Sequence, residues 1–212
     1  MDTRLTETTV RTLVERLATS DPAPGGGSAA AIAGAMGAAL IQMVVELTTG
    51  RTAAEGHQET LAEIRQAAAG WQSELLNLAE LDANAYDAVI RARRLPRTSE
   101  LERQARSLQI DAAVREATRV PLATAQAASA VLDLAEQVAP IGNRNAVSDV
   151  GVAGLLSVAA LRGAALNVEI NLPYLTSDDT LRNEAAAEIG GLLATVDPRD
   201  RSLRHAVAER LR

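Results

Sequence analysis

From Ala29 to Val45 the chain runs without a charged residue, built almost entirely from Ala, Gly and aliphatic side chains. In water such a stretch is stable as a helix buried over most of its surface. Ala30, Gly34 and Ala38 recur every four residues and form one small-residue stripe, which lets another helix backbone come close. The run is about as long as a minimal membrane span. It contains Gln42 and continues straight into Glu46, which favours the central helix of a soluble bundle. The rest of the core has little choice of material: the sequence holds one Trp, two Tyr and no Phe among 212 residues. Ala, Leu, Val and Ile must fill it, and that favours closely spaced helices over sheets.

Pro and Gly divide the chain into seven helical segments. Val10, Leu13, Val14 and Leu17 mark the first, which stops at Asp21-Pro22-Ala23-Pro24. The uncharged run is the second, with Gly50 as its natural C-terminal cap. The third extends from about Ala53 to Arg94, and Pro96 ends it. Ser99 and Glu102 form a capping box for the fourth, which reaches about Val138 with a kink at Pro121. Ser148 caps the fifth, Asp149 to about Ile170, again rich in small residues. Ser177 opens a sixth that ends near Val196, and Asp197-Pro198 reads as the cap and first position of a seventh. No strand and no linker stands out. The expectation is one all-α domain over residues 1–212, an up-and-down bundle with long helices and two buried small-residue helices. So large a small-residue surface also suits a homodimer.

Composition removes several kinds of chemistry. Without Cys there is no disulfide framework, thiolate zinc site or cysteine nucleophile. His57 and His205 are too few for a multi-histidine metal site, so no metal is expected. A formal net charge of -6 and three aromatic rings argue against nucleic-acid binding. Met1-Asp2-Thr3-Arg4 lacks the pattern of a secretory signal, which points to the cytoplasm and to no membrane partner.

Four places can carry chemistry. Gly25-Gly26-Gly27-Ser28 opens the uncharged helix, where free N–H groups and the positive end of the helix dipole suit an anion or carbonyl. The plain alternative is a sharp turn against another helix. Gly142-Asn143-Arg144-Asn145-Ala146-Val147-Ser148-Asp149 opens the second buried helix. Asn143, Asn145 and Ser148 can bind substrate and Asp149 can move a proton. Capping by Ser148 or Asp149 is the alternative. Asp82 and Tyr86 share one helix face, and a partly buried Asp82 has a tunable pKa, against a solvated acidic position. Arg51 can pair with an anion or complement a helix C-terminus. The Arg91, Arg93, Arg94 and Arg97 cluster is a solvated helix end, or attracts an acidic ligand tail.

In order and spacing these motifs resemble one family across roughly Thr3 to Val196. The carriers are Pro24-Gly25-Gly26-Gly27-Ser28, Glu46-Leu47-Thr48-Thr49-Gly50-Arg51, Asp82 with Tyr86, Leu95-Pro96, and Val120-Pro121-Leu122. They continue through Gly142-Asn143 and Asn145 to Ser148-Asp149, then Gly163-Ala164-Ala165-Leu166-Asn167-Val168 and Ile170-Asn171-Leu172. The chain resembles the C-terminal domain of the formiminotransferase-cyclodeaminases, together with the stand-alone methenyltetrahydrofolate cyclohydrolases. The resemblance implies an all-α dimer with a folate site in a groove at the subunit interface. It implies chemistry at the one-carbon bridge between N5 and N10 of tetrahydrofolate, either ring closure with loss of ammonia or hydrolytic ring opening. Neither reaction needs a metal or redox cofactor. By position it puts folate contacts at Gly25, Gly26, Gly27, Ser28, Asn143, Asn145 and Ser148. Asp82 and Asp149 become the proton-transfer candidates, and Arg51 an anion or polarising contact.

Hydrolysis is preferred, because no transferase portion accompanies the chain to deliver a formimino group. The segment Arg51-Thr52-Ala53-Ala54-Glu55 departs from the family's usual basic continuation. That leaves two other readings: the same scaffold recruited to a non-folate small molecule, and a non-catalytic helical dimer that binds a ligand or partner helix.

Overall fold

The computed structural model describes residues 4–49, 56–175 and 179–212. Within them the chain is helical, with no strand. The helices are α1 (Val10–Leu17), α2 (Gly26–Thr48), α3 (Gln58–Arg93), α4 (Glu100–Ile141), α5 (Val147–Asn171) and α6 (Thr180–Leu211). Short 3-10 turns cover Leu5–Glu7, Arg144–Ala146 and Leu172–Tyr174. At 1.5 Å per residue α4 is about 63 Å long and α3 about 54 Å, whereas α2 is about 35 Å.

Cross-contacts give the directions. Ser28 meets Ala79, and Gln42 meets Gln72, so α2 and α3 run antiparallel. The Arg93 carbonyl accepts from Arg106, Asn171 donates to the Ala117 carbonyl, and Arg162 pairs with Asp197. Each helix from α2 onward therefore reverses on its predecessor, the up-and-down arrangement. The core forms where five helices contribute small and branched aliphatics: Ile41, Val44 and Val45 from α2, Leu61 and Ile64 from α3, Leu132 and Val138 from α4, Val150 and Leu161 from α5, and Val196 and Leu203 from α6. Helices α2 and α5 also run antiparallel. At Gly37 a Cβ would lie 3.0 Å from the Ala153 carbonyl oxygen, so the absent side chain lets the two backbones come this close without either giving way.

The local expectations divide by cause. Ser99 and Glu102 do form a reciprocal capping box at the start of α4. As expected, α4 continues past Pro121; it also passes Pro140 and reaches Ile141, three residues beyond the expected Val138. Ser148 is not the cap of α5; Ala146 stands there without a side-chain bond, and Ser148 lies exposed in the first turn. The predicted seventh helix is absent, because α6 passes unbroken through Pro198. Asp197 pairs with Arg162 instead of capping. Buried Ala185, Ile189, Val196, Leu203 and Val207 form one stripe along α6 on both sides of Pro198. Packing of that stripe outweighs the roughly 3 kcal/mol that an interior proline costs a helix. Gly50 and Ser177, expected at helix ends, lie outside the described residues.

Two helical stretches, Gly26–Thr48 and Arg144–Tyr174, are long and apolar enough to cross a membrane by length and composition. Of their most apolar windows, 56% and 44% respectively is buried within the bundle. What remains exposed on these helices includes Met36, Met43 and Leu47 on α2, and Val152, Leu155 and Leu166 on α5, together with Glu46 and Arg162.

Candidate functional site

The start of α2 is where the bundle opens. Gly25 is the N-cap and offers no side chain, so the first backbone N–H groups of α2 find no capping oxygen on that residue. Asp82 of α3 takes up this end. A Cβ on Gly27 would stand 2.1 Å from Asp82 Oδ1 and 2.8 Å from Oδ2. The carboxyl group therefore rests directly against the α2 backbone, in space that exists only because residue 27 is glycine.

Ser28 joins the two helices. Its buried Oγ lies 3.0 Å from the Ala79 carbonyl oxygen and 2.9 Å from Asp82 Oδ2. One hydroxyl proton cannot serve two acceptors. Ser28 Oγ–H can donate to either acceptor, and a donation to Asp82 stabilises its carboxylate. Burial raises the Asp82 carboxyl above its ordinary value, opposed by the hydrogen bonds from the Ser28 side chain and backbone. Desolvation favours the neutral acid, whereas the Ser28 hydrogen bonds and the α2 N-terminus favour the carboxylate, and burial is the larger influence.

A cavity of about 370 Å³ opens beside this group. Gly25, Gly26, Gly27 and Asp82 form one end, and Tyr86, Val89, Ile90 and Arg93 continue along α3. Asn167 and Asn171 come from α5, one turn apart. Asn171 Nδ2 donates to the carbonyls of Ala117 and Asn167, and Asn167 Nδ2 donates to that of Gly163. With both amide hydrogens of Asn171 engaged, its Oδ1 is left to accept from a ligand. The size lies at the lower end of the range for small-molecule sites, and the lining mixes apolar walls with a few fixed polar groups.

The second motif lies elsewhere. Asn143 is buried, but its N–H donates to Thr48 Oγ1 at 2.8 Å, its Nδ2 to the Leu47 carbonyl at 2.9 Å, and its Oδ1 accepts from the Asn145 N–H at 3.0 Å. It fastens the C-terminus of α2 to the start of α5. Asn145 and Ser148 are exposed and Asp149 half-buried at the same end. Asp149 and Asn167 are separated by 18 residues of one helix, about 27 Å. Within one chain, the structure brings Gly25, Gly26, Gly27 and Ser28 together with Asp82. It holds Asn143, Asn145, Ser148 and Asp149 at the far end of the central helix pair. Arg51 lies outside the described residues.

Asn167 and Asn171 were not among the expected site residues, and Arg93 was expected only as one of the arginine cluster, a solvated helix end or an attraction for an acidic ligand tail. The signal for the two amides was their i, i+4 spacing near the end of an otherwise apolar helix. Among the described residues no cluster of three or more His, Asp or Glu side chains is arranged to hold a metal ion.

Similarity to known proteins agrees with this architecture. The formiminotransferase-cyclodeaminase family model matches residues 9–190. The chain is 44% identical over 186 residues to a methenyltetrahydrofolate cyclohydrolase of Methylorubrum extorquens, covering 88% of this chain and 89% of that protein. It is 33% identical to the mouse formimidoyltransferase-cyclodeaminase over 89% of its own length but only 35% of that larger protein. A crystal structure of formiminotetrahydrofolate cyclodeaminase from Thermotoga maritima superposes with a TM-score of 0.85 at 26% identity, covering 96% of this chain and 97% of that one. The chain therefore belongs to the formiminotransferase-cyclodeaminase family.

Proposed function

We propose that this protein is an enzyme acting on the carbon–nitrogen one-carbon bridge of a tetrahydrofolate, and that its reaction is hydrolysis of the methenyl form. The observation that carries the chemistry is Asp82, a carboxyl held by Ser28 against the α2 N-terminus beside the cavity, its pKa raised by burial. Support for hydrolysis comes from the near-full-length 44% identity to a stand-alone cyclohydrolase, against 33% to the bifunctional relative.

Water adds to the methenyl carbon and gives a tetrahedral adduct. The bond from that carbon to N5 then breaks, its electron pair going to N5, which takes a proton. Water loses two protons over the two steps, N5 gains one, and one is released with 10-formyltetrahydrofolate. Asp82 is the acid that protonates the leaving nitrogen, a role suited to a carboxyl whose pKa is raised. In the reverse sense of ring closure the same group would protonate departing ammonia. The chemistry uses proton transfers alone, with no metal or redox cofactor.

The functional unit in this reading is a homodimer. The exposed apolar residues Met36, Met43 and Leu47 of α2 and Val152, Leu155 and Leu166 of α5 support a face for a second copy there. A two-fold axis perpendicular to α2 and α5 at their midpoints brings opposite ends of the two copies together. The partner's Asp149 then approaches the cavity that contains Asp82. That arrangement joins the two separated motifs and makes the partner's Asp149 a candidate base for water.

The test is loss of methenyltetrahydrofolate absorbance with purified protein, against a no-enzyme control and Asp82→Asn. Acceleration by wild type, reduced in the variant with its fold intact, is the expected result. Acceleration of ammonia release from formiminotetrahydrofolate alone would replace hydrolysis by cyclodeamination. No effect on either compound would remove the folate assignment.

A further inference from the structure

Two charged side chains line the cavity among the described residues, Asp82 and Arg93. They stand on α3 at positions i and i+11, with Tyr86 at i+4 and Val89 and Ile90 at i+7 and i+8, so all occupy one helix face. Along the axis the separation is about 16 Å. Between the two charges the walls are Tyr86, Val89 and Ile90 from α3, Ile170 from α5 and Tyr174 from the following turn. The cavity thus has an acid end, an apolar middle and a cationic end.

Arg93 has an ordinary explanation as a cation in the last turn of α3. That role is filled by another residue. Arg106 of α4 donates to the Arg93 carbonyl through Nε at 3.3 Å and Nη2 at 3.0 Å. The Arg93 guanidinium instead lies 5.1 Å from the centre of the Tyr174 ring. Among the described residues it forms no ion pair with a carboxylate. Stacking on a ring orients a guanidinium and leaves its N–H edge free for a planar anion.

We propose that Arg93, seated on Tyr174, binds a carboxylate of the substrate's glutamyl tail and so fixes which way the folate lies, its one-carbon bridge at Asp82. This rests on the folate reading above. The fit is one of length and polarity. An aminobenzoyl group and its amide separate the one-carbon bridge from the first carboxylate by roughly 10 Å at ordinary bond lengths. The remaining distance accommodates a hydrogen bond at each end. The flat ring of that unit crosses the apolar middle. Arg91, Arg94 and Arg97 do not line the cavity, so Arg93 alone of that arginine cluster carries the assignment.

The experiment compares methenyltetrahydrofolate with methenyltetrahydropteroate, the same compound without glutamate, on wild type, Arg93→Ala, Arg93→Lys and the surface control Arg94→Ala. Wild type should favour the glutamylated substrate through KM. Arg93→Ala should raise KM for that substrate roughly tenfold, as for a charged hydrogen bond partly screened by water, with kcat nearly unchanged. KM for the pteroate compound should not move. Arg93→Lys should recover part of the preference, and Arg94→Ala should behave as wild type. A wild type indifferent to the tail, or an Arg93→Ala loss equal for both compounds, overturns the assignment while the folate reading stands. If wild type turns over neither of these compounds nor formiminotetrahydrofolate, the folate reading falls and this inference with it; if it acts on formiminotetrahydrofolate alone, the same comparison is made with the formimino compounds, with and without glutamate.

Discussion

The contact between Gly27 and Asp82 supports a sharp test, because one methyl group should separate activity from stability. In Gly27→Ala the new Cβ would lie 2.1 Å from Asp82 Oδ1, about 1.3 Å inside the 3.4 Å at which ordinary contact begins. One partner must move. Gly27 is in the first turn of α2, whose backbone is fixed by packing on α3 and α5, whereas Asp82 ends in a carboxyl beside an open cavity. The carboxyl therefore swings away by about 1 Å, and its 2.9 Å bond to Ser28 is lost. The stability change is small: a strained or broken hydrogen bond costs about 1 kcal/mol, and replacing Gly by Ala in a helix returns a similar amount. Activity should respond far more, since misplacing a catalytic group by about 1 Å costs on the order of 100-fold. Urea unfolding and steady-state kinetics on the same preparation measure both. The reasoning is refuted if Gly27→Ala keeps wild-type kcat/KM to within about threefold, a change too small for a displaced catalytic group. It also fails if the variant unfolds before it loses activity.

Three further outcomes follow from the same geometry. The Asp82 carboxyl holds its proton more tightly in the folded chain than in the unfolded one. Its stabilising contribution is thus complete below the unfolded value, near pH 4, and is lost as pH rises through the raised folded value. Asp82→Asn, a mimic of the neutral form, should melt at or above wild type at pH 7, with the advantage closing toward pH 4, while kcat drops about 100-fold; a melting deficit that grows with pH would contradict the protonation argument. In Gly154→Ala the added Cβ would sit 2.2 Å from Leu203 Cδ2, deep in the core, so overpacking should destabilise by about 1–3 kcal/mol in urea titration and leave kcat unchanged. Pro198→Ala should stabilise by about 1–3 kcal/mol, because the residue is inside α6; a neutral result would restore a helix boundary there.

Much of this molecule was legible in its residues, and particular cases show where legibility stops. The capping box at Ser99 and Glu102 could be read because both partners belong to one turn, so nothing distant can alter the pairing. Asp197-Pro198 carried an equally good local signal for a helix start. It was overridden by Arg162, 35 residues away, and by the burial of Val196 and Leu203. The glycines at 25–27 and Asp82 were visible as separate candidates. Their meeting was not, because it depends on α2 and α3 running antiparallel at one register.

Asn143 and Asp149 look as suggestive in one dimension as Gly25 and Asp82. Their distance from the cavity within the chain follows from the length of α5, and only tertiary structure turns 18 residues into about 27 Å of separation. What the sequence determined alone is the all-helical class and the residue types available for proton transfer. Those properties depend on composition and on periods of a few residues, which act locally along the backbone. Tertiary structure decided which groups share one cavity, that burial raises the Asp82 pKa, and that Arg93 rather than its neighbours lines that cavity. These depend on contacts between residues far apart in the chain, where burial and hydrogen bonding set the energies.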